Sequence, residues 1–150
     1  MADKKIRVTV WNEFVHELEG SDTIKKFYPQ GIHTVIGDAL KKNADMEVRY
    51  ATLRQPEHGL TKEVVDSTDV LLWWGHMCHG AVEDAIVQRV HQRVLEGMGI
   101  LVLHSGHYSK IFQKLMGTPC GLTWREYAEK ERIWCVNPSH PIAEGIPVHF

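Results

Sequence analysis

Ten of the 150 residues are histidine, and four of these form two His-x-x-His pairs, His76/His79 and His104/His107. Glu13 and His16 make a further polar pair near the N-terminus, and Ser105 lies inside the second histidine pair. Imidazoles beside a carboxylate are the donor set of a catalytic zinc, which takes three protein ligands and leaves one position for water. Without metal the same groups are general acids and bases, because histidine titrates nearest neutral pH. Zinc held by a subset of His76, His79, His104 and His107 is therefore one expectation. Acid/base work by at least one of them, with Glu13 as a general base and His16 beside it, is the other. In the blandest reading one or two of the imidazoles hydrogen-bond loop backbone and the others sit half exposed. Ser105 sits where an α/β enzyme could present a nucleophile, but Leu103 and His107 replace the glycines of a Gly-x-Ser-x-Gly elbow. An N-cap or ligand-binding hydroxyl fits that serine equally well. Cys78 could be a soft ligand or a reactive thiol, although burial is the commoner role for a free cysteine.

Groups able to contact a substrate are spread more widely. Trp73 and Trp74 end an apolar run, and strand alternation puts them on opposite faces, so at most one lines a crevice. Trp74 could stack on a sugar ring there, with His58 farther off. Trp124-Arg125-Glu126 offers an indole, a planar donor and a carboxylate, or else a surface ion pair.

The elements needed to gather these residues can be read from the hydrophobic periodicity. Asp69–Gly75 and Gly99–Leu103 are short apolar runs, and between them Val82, Ile86, Val87, Val90, Val94 and Leu95 mark one face of a helix. Two strands around a crossover helix make a parallel βαβ unit, so both histidine loops leave the same edge of one sheet. Ile6–Trp11 reads as a central strand followed by a polar loop at 12–17. Residues 46–53 alternate as a more exposed strand would. Helices are expected at 32–43 on a stripe of Ile32, Val35, Ile36, Ala39 and Leu40, at 61–67 with Thr61 as N-cap, and at 109–116 stopped by Gly117. A further strand is expected at Arg132–Val136, followed by a turn at 137–141. The βα alternation implies a doubly wound, three-layer α/β/α sheet of flavodoxin-like order, with strand one between strands two and three. Ligands of such folds bind at the switch point beyond the carboxyl ends of the strands. That gathers Glu13, His16 and both histidine loops at one crevice.

Composition narrows the class. With 43% hydrophobic and 24% charged residues the chain reads as one globular domain. A net charge of -2 argues against a nucleic-acid or anionic-membrane partner recruited by charge. No apolar stretch approaches the ~20 residues that span a bilayer. Three cysteines at these spacings suggest no disulfide framework. The expected location is cytoplasmic, and homo-oligomerisation is left open.

Several segments together resemble the trehalose-utilisation (ThuA-like) family: Val10-Trp-Asn-Glu13 with His16-Glu17, Pro56-Glu-His-Gly-Leu60, Trp73-Trp-Gly-His76 with His79, Leu103–Phe112, and His140-Pro-Ile142. The resemblance implies a class I glutamine-amidotransferase-like fold and a role in disaccharide metabolism. Where amidotransferases of that superfamily carry a cysteine elbow, this chain has His104-Ser105-Gly106, so it is not expected to be a glutaminase. Relatives are usually longer, and a chain truncated before its last strands is expected. These readings combine into a sugar-metabolism protein acting on trehalose, a related disaccharide or a keto derivative. The chemistry expected is histidine-assisted hydrolysis or elimination, with or without a divalent metal and with no nucleotide cofactor. The competing expectation is a sugar-binding or regulatory module without catalysis.

Overall fold

A computed structural model describes residues 5–20, 22–125 and 127–150. The charged residues 1–4 and the carboxylate expected from Glu126 lie outside the described residues. Four strands, β1 (Ile6–Asn12), β2 (Met46–Thr52), β3 (Val70–Trp74) and β4 (Gly99–Val102), form one sheet in the order β2-β1-β3-β4. All pairings are parallel. Strand one lies between two and three, as the periodicity predicts. This is an α/β fold of flavodoxin-like order, and all four strands end at one edge.

Side-chain alternation splits the apolar residues between two layers. Val8, Val10 and Leu72 pack under Ile36 and Leu40 of α3 (Ile32–Leu40). Trp11, Leu71 and Trp73 face the other way, against α4 (Lys62–Asp66), α5 (Asp84–Leu95) and α6 (Lys110–Met116). Trp11 and Trp73 are paired in register and their rings stack at 3.9 Å. Val90 and Ile111 are fully enclosed on that side. Arg7 grips Asp69 through two guanidinium nitrogens, at 2.7 and 2.9 Å, and its own amide also donates to that carboxylate. The pair ties the start of β1 to the residue preceding β3.

Local chemistry sets the element ends. Thr61 caps α4 by accepting from the Val64 amide, and Ser109 caps α6 by accepting from the Phe112 amide. Gly117 ends α6 in the left-handed region, which costs glycine little.

Four expectations need correcting. The buried stripe of α3 runs through His33 and Gly37 beside Ile36 and Leu40, while Val35 and Ala39 are exposed. A Cβ on Gly37 would lie 2.1 Å from the Tyr50 ring, so the glycine lets the helix sit directly on β2. Leu95 and Met116 close their helices exposed rather than buried. The polar loop expected at 12–17 instead contains the last residue of β1 and the start of α1 (His16–Glu19), followed by α2 (Asp22–Phe27). Residues 132–136 add no strand to the sheet. They make one antiparallel bridge, Trp134 to His149, flanked by backbone bonds between Ile133 and Phe150 and between Cys135 and Val148.

Leu71 tests the core, because its side chain is 1% exposed at the centre of the larger cluster. Leu71→Ala is expected to cost about 2–5 kcal/mol, read as a lower urea midpoint with an unchanged m-value. A loss below about 1 kcal/mol would mean the site collapses around the missing atoms.

Candidate functional site

The sheet edge places three chain segments together. β1 runs out into Glu13, whose amide donates to the Trp74 carbonyl at 3.1 Å and so prolongs the β1–β3 pairing. β3 runs into Gly75 and the loop bearing His76 and His79, and β4 into the loop bearing His104 and His107. A cavity of about 670 Å³ opens between those loops, lined by His76, His79, His104, Ser105, His107 and Tyr108. The C-terminal segment closes its far side with Leu122, Trp124 and Glu131. All four histidines read from the sequence therefore share one cavity, together with Ser105 and Trp124.

Glu13 lies beneath this cavity instead of on its wall. It is 1% exposed, and its two oxygens accept from the amides of Met77 at 2.6 Å and Cys78 at 2.9 Å. Buried carboxylates persist where charge-assisted bonds of this kind replace water. Gly75 makes the approach possible. A Cβ there would sit 3.2 Å from Glu13 Oε2 and 3.3 Å from His79 Nδ1, so the carboxylate and the imidazole close on the same glycine.

Burial holds the His79 imidazole below its usual pKa; the Glu13 carboxylate opposes this, and His107 and His76 add to it. His79 is consequently neutral near pH 7, the form that can take a proton. Burial also raises the Cys78 thiol, and the Glu13 charge raises it further, so Cys78 stays protonated and is a poor nucleophile. Ser105 Oγ lies 3.4 Å from His104 Nδ1. His107 Nδ1 is buried and has no hydrogen-bond partner among the described residues.

The remaining expected site residues sit outside the cavity wall. His16, at the start of α1, stacks on His76 with ring centroids 5.0 Å apart, and both rings lie near the Trp74 indole. Trp74 Nε1 donates to the His104 carbonyl, which fixes the ring between the two histidine loops. His58 is held by backbone at both ring nitrogens: Nδ1 lies 2.7 Å from the Leu53 carbonyl, and Nε2 accepts from the Glu83 amide that begins α5. His140 caps a short turn by accepting from the Ile142 amide.

The periodicity did not point to Tyr108 or Glu131. Tyr108 could have been found from its place beside His107. Glu131 sits in an irregular stretch that carries no signal. A second polar cluster was also missed. Asn12 donates to Glu17 Oε1 at 2.8 Å and lies 3.0 Å from His33 Nδ1, and Glu17 Oε1 also accepts from the Ile32 amide. All three side chains are buried. Burial lowers the His33 pKa, with Glu17 opposing.

A scan of family models matches the trehalose-utilisation (ThuA) model over residues 7–150. The chain belongs to the trehalose-utilisation family. Among curated proteins none matches it. No helix among the described residues is long and apolar enough to cross a membrane.

Zinc was expected on a subset of His76, His79, His104 and His107, which share this cavity. Among the described residues no group of three or more His, Cys, Asp or Glu side chains is arranged to hold a metal ion. Elemental analysis of protein purified without chelator decides the zinc expectation, and well under one zinc per chain would leave these histidines to acid/base or structural work. A full equivalent, lost in both His79→Ala and His104→Ala, would establish the metal and these two ligands.

Glu13→Gln tests the loop anchor. A carboxamide keeps the shape but turns one acceptor into a donor facing an amide N–H, which should cost about 1–3 kcal/mol. Hydrogen exchange at Met77 and Cys78 should accelerate in the variant. Unchanged stability and unchanged protection would show that the carboxylate does not hold the loop.

Proposed function

We propose that this member of the trehalose-utilisation family is a cytoplasmic enzyme that cleaves trehalose, a related disaccharide or a keto derivative at the histidine-lined cavity. The observation that carries the proposal is the convergence of four imidazoles from two βα loops on one cavity, with His79 kept neutral by burial. His79 takes a proton, and an imidazole of the 104–107 loop gives one to the departing glycosidic oxygen. In hydrolysis the proton taken is water's, and the water oxygen replaces the glycosidic oxygen on the sugar carbon. In a keto sugar whose carbonyl lies two carbons from the anomeric centre, the intervening C–H is acidic and the glycosidic oxygen is β to it. Removal of that proton expels the oxygen and leaves a carbon–carbon double bond. In this reading the base role expected for Glu13 passes to His79. Glu13 positions the loop, and Ser105 and Tyr108 offer hydroxyls to the sugar.

Tyr108 and Trp124 on the wall also suit a module that binds a sugar without cleaving it. Turnover separates the two readings. With trehalose and its keto form as substrates, free glucose would report cleavage, and a conjugated enone absorbance would mark elimination. His79→Gln is expected to lower kcat/KM by about a hundredfold or more, the usual size of a general-base contribution. The sign of the pH effect follows from the lowered pKa. The imidazole stays neutral to below its ordinary value of about 6.5, so kcat/KM should hold as pH falls to that value and decline only beneath it. That acid limb should vanish in His79→Gln. Sugar binding with no turnover would establish the module reading, and neither binding nor turnover would end both.

A further inference from the structure

A second cavity of about 530 Å³ adjoins the first, and Trp124 and Glu131 line both. Its other walls carry Tyr127, Arg125, Glu129 and Lys130. Each volume falls within the roughly 300–1,000 Å³ of small-molecule sites. The two cavities differ in chemistry. The first carries the imidazoles and a single acid among the described residues, Glu131. The second has no histidine among the described residues. It has two aromatic rings with paired charges, a combination able to recognise a ring bearing many hydroxyls.

Two of the charged groups are paired with each other. Arg125 Nη2 contacts Glu129 Oε2 at 2.6 Å, and the Arg125 guanidinium carbon stands 5.9 Å from the centre of the Tyr127 ring. The guanidinium thereby steadies Tyr127 within cation–π range. Tyr127 remains 75% exposed and Trp124 71%. Flat, exposed rings flanked by carboxylates and a planar cation present both surfaces a pyranose needs. Its C–H face can lie on the rings, while its hydroxyls donate to Glu131 and Glu129 and accept from Lys130 and Arg125.

We infer that the second cavity is an accessory saccharide subsite. It holds the sugar ring joined to the one whose bond lies among the histidines, with Trp124 and Glu131 at the junction between the rings. The inference rests on the sugar reading above and deepens it, because it makes the protein selective for a disaccharide over a single ring. The catalytic loops supply the reactive groups, and the irregular segment after α6 supplies the length selectivity.

Trehalose and methyl α-glucoside, which keeps one ring and its glycosidic oxygen, are the probes. Binding is measured by calorimetry on full-length protein carrying His79→Gln, so that neither sugar is consumed. Trehalose is expected to bind about fivefold to tenfold more tightly than the glucoside, the size of one aromatic contact. Tyr127→Ala and Arg125→Ala, each added separately, should erase that advantage and leave the glucoside affinity unchanged. Both side chains are exposed, and an unchanged urea midpoint would confirm intact folding. The inference alone is overturned if trehalose shows no advantage in the parent, if the advantage survives both substitutions, or if both sugars weaken equally. If neither sugar binds the parent, the sugar reading fails together with it.

Discussion

A carboxylate buried at the end of the central strand must find partners that replace its water, because an unpaired charge in such a place would cost several kcal/mol. Glu13 finds them in two consecutive amides of the loop after β3. That bond pattern fixes the loop's path, and His76 and His79 flank the anchored amides. Gly75 is part of the same constraint, since the carboxylate and the His79 ring both close on the space a side chain would fill. The site therefore depends on β1 and β3 being adjacent and parallel. A sheet order that separated them would leave the charge without partners and the histidines without a frame.

The same carboxylate shapes the electrostatics of its neighbours. Burial alone pushes the His79 pKa down and the Cys78 pKa up, both by disfavouring the charged form. The Glu13 charge then works against burial at His79 and with it at Cys78. The loop thus carries an imidazole able to accept protons beside a thiol that holds its own. This favours proton transfer over thiolate attack, in keeping with the absence of a cysteine elbow in the chain.

On the other side of β1 a second polar cluster does comparable work. Asn12 reaches Glu17 and His33 and so binds the starts of α1 and α3 to the strand end. β1 is apolar through Val10 and Trp11 and then presents two buried polar residues in succession. Asn12 is directed to α1 and α3, and Glu13 to the β3 loop. Each is satisfied by backbone or side-chain partners, so the carboxyl edge of the sheet can be polar without exposing its core.

Much of the fold was legible because hydrophobic periodicity reports directly on burial. The runs at 6–11, 69–75 and 99–103 and the stripe through Val82, Ile86, Val87 and Val90 mark buried faces, and parallel connectivity then carries both histidine loops to one edge. Thr61 and Gly117 were legible because capping is local chemistry. The α3 face was misread because Gly37 contributes no hydrophobicity, although its missing side chain is what admits Tyr50. The burial of Asn12, Glu13 and Glu17 was hidden for the opposite reason. Polar residues signal exposure unless partners elsewhere meet them, and here these are the Met77 and Cys78 amides for Glu13, the Ile32 amide for one oxygen of Glu17, and the Glu17 and His33 side chains for Asn12, none of which a local pattern reveals. The residue types able to do chemistry were thus settled by the chain itself. Tertiary structure alone decided which of them share a cavity: it turned Glu13 inward, tied both ring nitrogens of His58 to backbone, and brought Glu131 from an irregular segment to face the histidines. Such choices depend on long-range hydrogen bonding and close packing, which spacing along the chain does not encode.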